Sequence, residues 1–184
     1  MRYAFNSTNP NLNYAVNQLN RNNNIFAGLL GLVKDITDNI VAGAGAIASD
    51  YQVEVAVNWA IDKVTSNVIT YSQENRNLKN THATSYDCSS FIITAFYAAG
   101  LDISATTTRD MIAGFTAAGF KWIPGRVWYS DQLQRGDILL NTTYHTQMYI
   151  GNNQDVNCGS TPACVDFHSI DYGGIGWDGI LRHE

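Results

Sequence analysis

The sequence predicts an α+β domain with a mainly antiparallel sheet, and three observations carry that expectation. Apolar residues recur at helical spacing after residue 50, at Val53, Val55, Ala56, Trp59, Ala60 and Val64, and again from Cys88 to Ala99. Beyond Gly125 the period shortens to two, most cleanly from Tyr144 to Ile150. Turn signals then punctuate the chain at Gln134-Arg135-Gly136 and Gly151-Asn152-Asn153, the second of which suits a hairpin. Helices first and strands afterwards describe an α+β architecture.

Residues 1–24 are rich in Asn, which favours turns and local side-chain bonds, so an irregular or short-helical arm is expected. From Ile25 to Ala48 the composition becomes apolar, but Lys34, Asp35 and Asp38 interrupt it, leaving no run of about 18 residues fit to span a membrane. A helix packed on protein is the favoured reading there, and an interfacial membrane helix the weaker alternative. Residues 1–50 are therefore read as an N-terminal appendage for assembly or delivery, and residues 51–184 as the catalytic domain.

Within that domain a helix is expected from Tyr51 to Ser66, followed by a polar connection from Tyr71 to His82. Next comes a helix bounded by Asp87 as N-cap and Gly100 as C′ residue. A further helix around Thr108 to Gly119 turns Met111, Ile112 and Phe115 inward. Strands are expected at Asp137–Leu140, Tyr144–Ile150, Gln154–Cys158, Val165–His168 and Gly179–Arg182, making a sheet of about five.

An apolar fraction of 45% with 15% charged residues belongs to a chain that buries a core. A formal net charge of −5 without a basic cluster argues against nucleic-acid binding as the main activity, and equally disfavours simple adhesion to an anionic surface. Three cysteines, Cys88, Cys158 and Cys164, make no disulfide framework. Cys158 and Cys164 fall on neighbouring strands, bonded or unbonded. The start Met1-Arg2-Tyr3-Ala4-Phe5-Asn6 lacks signal-peptide features, so synthesis in a cytoplasm is expected, with a separate delivery route if the substrate lies outside.

The chemistry centres on Cys88, in the first turn of its helix. Unpaired N–H groups and the helix dipole at that position are expected to favour thiolate over thiol. Period two puts His145, Gln147 and Tyr149 on one face of their strand, and the hairpin at Asn152-Asn153 brings Asp155 and Asn157 to the same face. Either could orient His145 as a base for the thiol. A zinc set of Cys158, Cys164, His168 and His145 is disfavoured because its spacing fits no compact knuckle.

Three blocks, Tyr86-Asp87-Cys88-Ser89-Ser90-Phe91, Leu133-Gln134-Arg135-Gly136-Asp137-Ile138-Leu139-Leu140 and His145-Thr146-Gln147-Met148-Tyr149-Ile150-Gly151, resemble the signature blocks of NlpC-type cell-wall peptidases and amidases, particularly those of bacteriophages. The resemblance spans roughly Tyr51 to Glu184. It implies a papain-like fold, Cys88 as nucleophile, His145 as general base and Asn157 as the third residue, with Asp87, Ser89 and Tyr71 binding the stem peptide. It also implies bacterial peptidoglycan as substrate, no cofactor and no metal, and either a phage lysin or a virion-carried component docking on phage structural proteins through residues 1–50. Two departures stand out: Asn157 where many members have His, and Gln147 where a small residue is common. The competing readings are a phage-tail or wall-binding protein with a decayed peptidase fold, and a papain-like acyl transferase.

Overall fold

The computed structural model describes residues 51–66, 68–160 and 162–184, together with Lys34. The expected Asn-rich arm and the apolar helix of residues 25–48 lie outside the described residues, that lysine excepted. Contacts divide the chain into Met1–Ile47 and Ala48–Glu184, and the elements named below all belong to the second unit.

The first of these, α1, is helical over residues 51–66, as the apolar spacing predicts. A short parallel pair, β1 (Thr70–Tyr71) and β2 (Ser85–Tyr86), brackets the polar connection. Helix α2 (Cys88–Ala98) follows at once. Asp87 caps it by accepting from the Ser90 N–H, while the Ser90 hydroxyl accepts from the Asp87 N–H, a complete capping box. At the other end Gly100 takes φ +85°, and the Gly100 and Leu101 N–H groups bond back to the Tyr97 and Phe96 carbonyls, the Schellman arrangement. Every residue from Cys88 to Phe96 is buried, so α2 is a core helix rather than one with a wet face.

Helix α3 (Met111–Ala117) is shorter than the sequence suggests and buries Met111 and Phe115. The main sheet contains β3 (Phe120–Pro124), β4 (Ile138–Asn141), β5 (His145–Gly151), β6 (Gln154–Asn157), β7 (Cys164–Phe167) and β10 (Gly179–His183). A separate two-stranded hairpin is made by β8 (Asp171–Tyr172) and β9 (Ile175–Gly176). The main sheet runs β3-β10-β4-β5-β6-β7 and is antiparallel throughout. It therefore has six strands rather than about five. The addition is β3, which lies before the region where strands are expected; pairing with β10 at the sheet edge makes it a strand, where a terminal Pro is tolerated. Phe120 at its start packs edge-on to Phe96 and Phe115 at 5.0 and 4.9 Å, joining β3 to both helices.

The two sheet faces carry separate cores. Ile138, Leu140, Met148, Ile150, Val156 and Leu181 pack with α2, whereas Leu139, Tyr149 and Ile180 enclose Trp177 on the other side. The β5–β6 hairpin turns through Asn152 and Asn153, both left-handed at φ 53° and 58°, conformations that Asn accepts more readily than most residues. Arg135 clamps α1 to this hairpin, donating from Nε to Glu54 (2.8 Å), from Nη2 to Asn58 (3.1 Å) and from Nη1 to the Ile150 carbonyl. Asp137, just after the Gln134-Arg135-Gly136 turn, accepts from the Gln134 N–H and also binds Arg182 through both oxygens (2.6 and 2.8 Å).

Candidate active site

The N-terminus of α2 places Cys88 against the sheet at the start of β5. Registered pairing between β5 and β6 begins at Met148, and the backbone N–H of Thr146, beyond the end of that ladder, points at the Cys88 sulfur together with those of Ser89 and Cys88 itself. These donors favour a thiolate. Burial nevertheless wins, reinforced by the Asp87 carboxylate, and pushes the thiol up to about 11. The N–H groups at the helix start thus act in the expected direction, but burial outweighs them, because the residues packed around the sulfur withdraw water.

Cys88 opens onto a cleft of about 340 Å³, with Asp87 and Ser89 in its wall. Asp87 is fully engaged. Its Oδ1 accepts from the Ser90 N–H (2.7 Å) and the Ser89 hydroxyl (2.9 Å), and its Oδ2 accepts from Arg76 (2.9 Å). Tyr71 lies outside the lining but close enough for Cys88 and Asp87 to act on it: burial raises its phenol most, a bond from Gln73 opposes, and the two acidic groups add to the rise.

His145 and Asn157 meet around Gly159, beneath Tyr172, a phenol that the Cys88 thiol also acts on. A Cβ built there would lie 2.9 Å from His145 Cε1, 3.2 Å from Asn157 Oδ1 and 2.6 Å from the Tyr172 hydroxyl. Tyr172 covers the His145 ring, stacked at 3.7 Å and 22°, on the β8–β9 hairpin. Burial beneath it lowers the imidazole to about 4, so His145 is neutral near neutral pH. Its Nε2 has no hydrogen-bond partner among the described residues. The Asn157 oxygen accepts from the Gly159 N–H (3.1 Å) and its amide reaches Asp166 (3.4 Å). Asn157 is therefore beside His145 without bonding to it.

Asp155, the other candidate orienter, is committed elsewhere. Its Oδ2 accepts from Gln147 (2.7 Å) and meets His168 Nδ1 at 2.6 Å, while His168 Nε2 donates to the Trp128 carbonyl (2.9 Å). The carbonyl can only accept, which fixes a proton on Nε2. Burial alone would lower His168, but the Asp155 and Trp128 acceptors outweigh it and raise it. Gln147 shares the Tyr149 face, away from α2, so its size does not disturb the seat of the Cys88 helix. Of the thiols considered with these histidines for a metal, Cys158 bonds the Tyr86 carbonyl and Cys164 the Asp166 carboxylate, and all three cysteines are free.

Sequence reasoning misses Arg76 and Tyr172. Arg76 sits in the polar connection before α2, a loop whose position ahead of the Cys88 helix is the one signal that could have pointed to it. Nothing local marks Tyr172, whose role depends on how its hairpin folds over β5.

The endolysin-like domain family matches residues 48–156, more than half of the chain, a range that includes Cys88 and His145 and ends just before Asn157. A sequence relative is the peptidoglycan DL-endopeptidase CwlO of Bacillus licheniformis, 28% identical over 102 residues, which are 53% of this chain and 21% of that protein. The chain thus spans only about a fifth of that relative. Among solved structures, the P60 domain of antigen MAP1204 from M. avium subspecies paratuberculosis superposes with a TM-score of 0.51 at 21% identity, covering 71% of this chain and 96% of that one. The peptidoglycan hydrolase RipB of Mycobacterium tuberculosis gives 0.51 at 18% identity, covering 71% and 65%. The α+β papain-like fold and the NlpC-type resemblance are both borne out. The chain belongs to the endolysin-like domain family and has the fold of the NlpC/p60 peptidoglycan hydrolase domains.

Proposed function

We propose that this protein hydrolyses an amide bond in the stem peptide of bacterial peptidoglycan, with Cys88 as nucleophile, His145 as general base and Asn157 as the third residue. The observation that carries the reading is Cys88 at the capped, buried start of α2, opening onto a cleft beside β5. Thiol and imidazole are both neutral at rest, so Cys88 gives its proton to His145 as it attacks the carbonyl, rather than from a preformed ion pair. N–H groups around Cys88 and Ser89 are suited to the resulting oxyanion. His145 then protonates the leaving amine, and water releases the acyl group.

Two bonds fit this chemistry. Similarity to a DL-endopeptidase supports cleavage within the stem. The engagement of Asp87 by Arg76, which leaves no unpaired carboxylate for a free amine, supports cleavage of a stem still attached to its glycan, an N-acetylmuramoyl-L-alanine amidase. Mass spectrometry of muropeptides after digestion of sacculi decides between them: new N-terminal L-Ala marks the amidase, and termini only within the stem or cross-bridge mark the endopeptidase. The family's endolysin-like character supports a phage lysin or virion-carried component, with residues 1–50 serving assembly or delivery. A truncated protein starting near Tyr51 that still digests sacculi would agree with that division.

The unpartnered His145 Nε2 favours a second reading, wall binding without turnover. Sacculi that bind the protein but release no soluble fragments, at any pH from about 5 to about 9 where a histidine base would change protonation, would establish it in place of hydrolysis.

A further inference from the structure

The cleft beside Cys88 has an unusual charge balance for a protein of net charge −5. Its wall contains one carboxylate, Asp87, and two guanidinium groups, Arg76 and Arg109. Asp87 already receives three donors, one of them Arg76, so little of its charge remains for a substrate cation. Arg76 makes those contacts through Nη1 alone, to Asp87, the Thr106 carbonyl (2.5 Å) and the Ser89 hydroxyl (3.4 Å). The Nε and Nη2 edge of the same group has no partner among the described residues. That edge is the planar fork which matches a carboxylate in bidentate fashion. Arg109 is exposed and also without a partner among the described residues. Cys88, in the same wall, rests as a neutral thiol.

We propose that Arg76 and Arg109 form a carboxylate-binding subsite beside Cys88, which anchors an acidic group of the peptide being cleaved. The inference rests on the function proposed above and names what that site selects. Asp87 holds Arg76 in place by one nitrogen so that the fork is presented to the cleft, and Arg109 supplies the second charge. Peptides bearing a free carboxylate are bound in preference to the same peptides with that group amidated, and a free N-terminal amine gives no advantage.

The test separates binding from turnover. Titration calorimetry on the full-length Cys88→Ala variant compares an N-acetylated stem tetrapeptide carrying free carboxylates with its amidated counterpart. The acidic peptide is expected to bind about tenfold more tightly or better, as befits hydrogen bonds between charged groups. Arg109→Gln in the same background removes most of that preference while leaving the affinity for the amidated peptide unchanged. In the active protein, Arg109→Gln raises KM for the acidic peptide several-fold with kcat nearly constant. Equal affinity for the two peptides, no binding of either, or an equal loss on both in Arg109→Gln overturns the subsite. If Cys88→Ala binds with acid preference but the unmodified protein releases no product, the subsite stands and the hydrolytic function fails instead.

Discussion

Asp87, the cap of α2, and Asp155, on β6, are both buried carboxylates, yet their partners differ in kind. Asp87 is met by a backbone amide at the helix start, a hydroxyl and an arginine. Asp155 is met by Gln147 and by a histidine, and its Oδ1 has no partner among the described residues. The Asp155–His168 contact is almost sealed, with side-chain exposures of 1% and 3%, whereas Arg76 is 28% exposed at the cleft. The opposite face of the sheet thus holds a pair whose strength follows the proton on His168.

The largest expected effect breaks the chemical side outright. Cys88→Ala and His145→Ala should each lower release of soluble fragments from sacculi by about a thousandfold or more, with far-ultraviolet circular dichroism unchanged. Asn157→Ala should cost much less, because Asn157 stands beside His145 without bonding it. Should Asn157→Ala match His145→Ala in damage, the third residue acts through a contact formed only with substrate.

The pH response sharpens the comparison next. His145 has a folded value near 4, below its ordinary 6.5, so its contribution is complete above 6.5 and is lost as pH falls toward 4, by roughly 3 kcal/mol. His168 is raised, so what its pair contributes is present below the ordinary histidine value and is lost as pH rises through its folded value. Thermal unfolding followed from about pH 4 to about pH 9 should therefore show two limbs. His145→Gln should flatten the acid limb and His168→Gln the alkaline one; a single unmoved limb in both variants would show that other groups set the profile.

A smaller effect is expected from Arg76→Gln, which removes the cation from Asp87 while the helix cap remains. Peptides with a free N-terminal amine should gain several-fold in kcat/KM relative to N-acetylated ones. No change in that ratio would mean that Asp87 stays inaccessible even when uncovered. Smaller again is Tyr172→Ala, which bares the His145 ring and should move the acid limb of the pH–rate profile upward toward the ordinary imidazole value.

Much of this arrangement is legible in local sequence. Asp87 and Gly100 mark the ends of α2 because a cap and a left-handed stop are properties of single residues. The β5–β6 hairpin follows from Asn152-Asn153 for the same reason. What escapes is whatever depends on distant partners. β3 becomes a strand only through β10, and the protonation of Cys88 is decided by burial that its own helix does not determine. Arg76 and Tyr172 matter because of residues reached across a loop and a hairpin fold, and no spacing rule encodes either meeting.

The Arg135 clamp has a consequence for the order in which the chain folds. It ties Glu54 and Asn58 to a residue 81 and 77 positions away, across β1, β2, α2, α3 and β3. Closing so long a loop costs entropy before any contact rewards it, and its acceptor at Ile150 exists only once the hairpin has formed. Closure of this clamp is accordingly expected late, after the barrier. Loosening the clamp, as in Glu54→Ala, then shortens the lifetime of the native state by speeding unfolding while leaving the refolding rate nearly unchanged, so the durability of the folded chain is set in part by a contact that plays no role in how quickly it first folds.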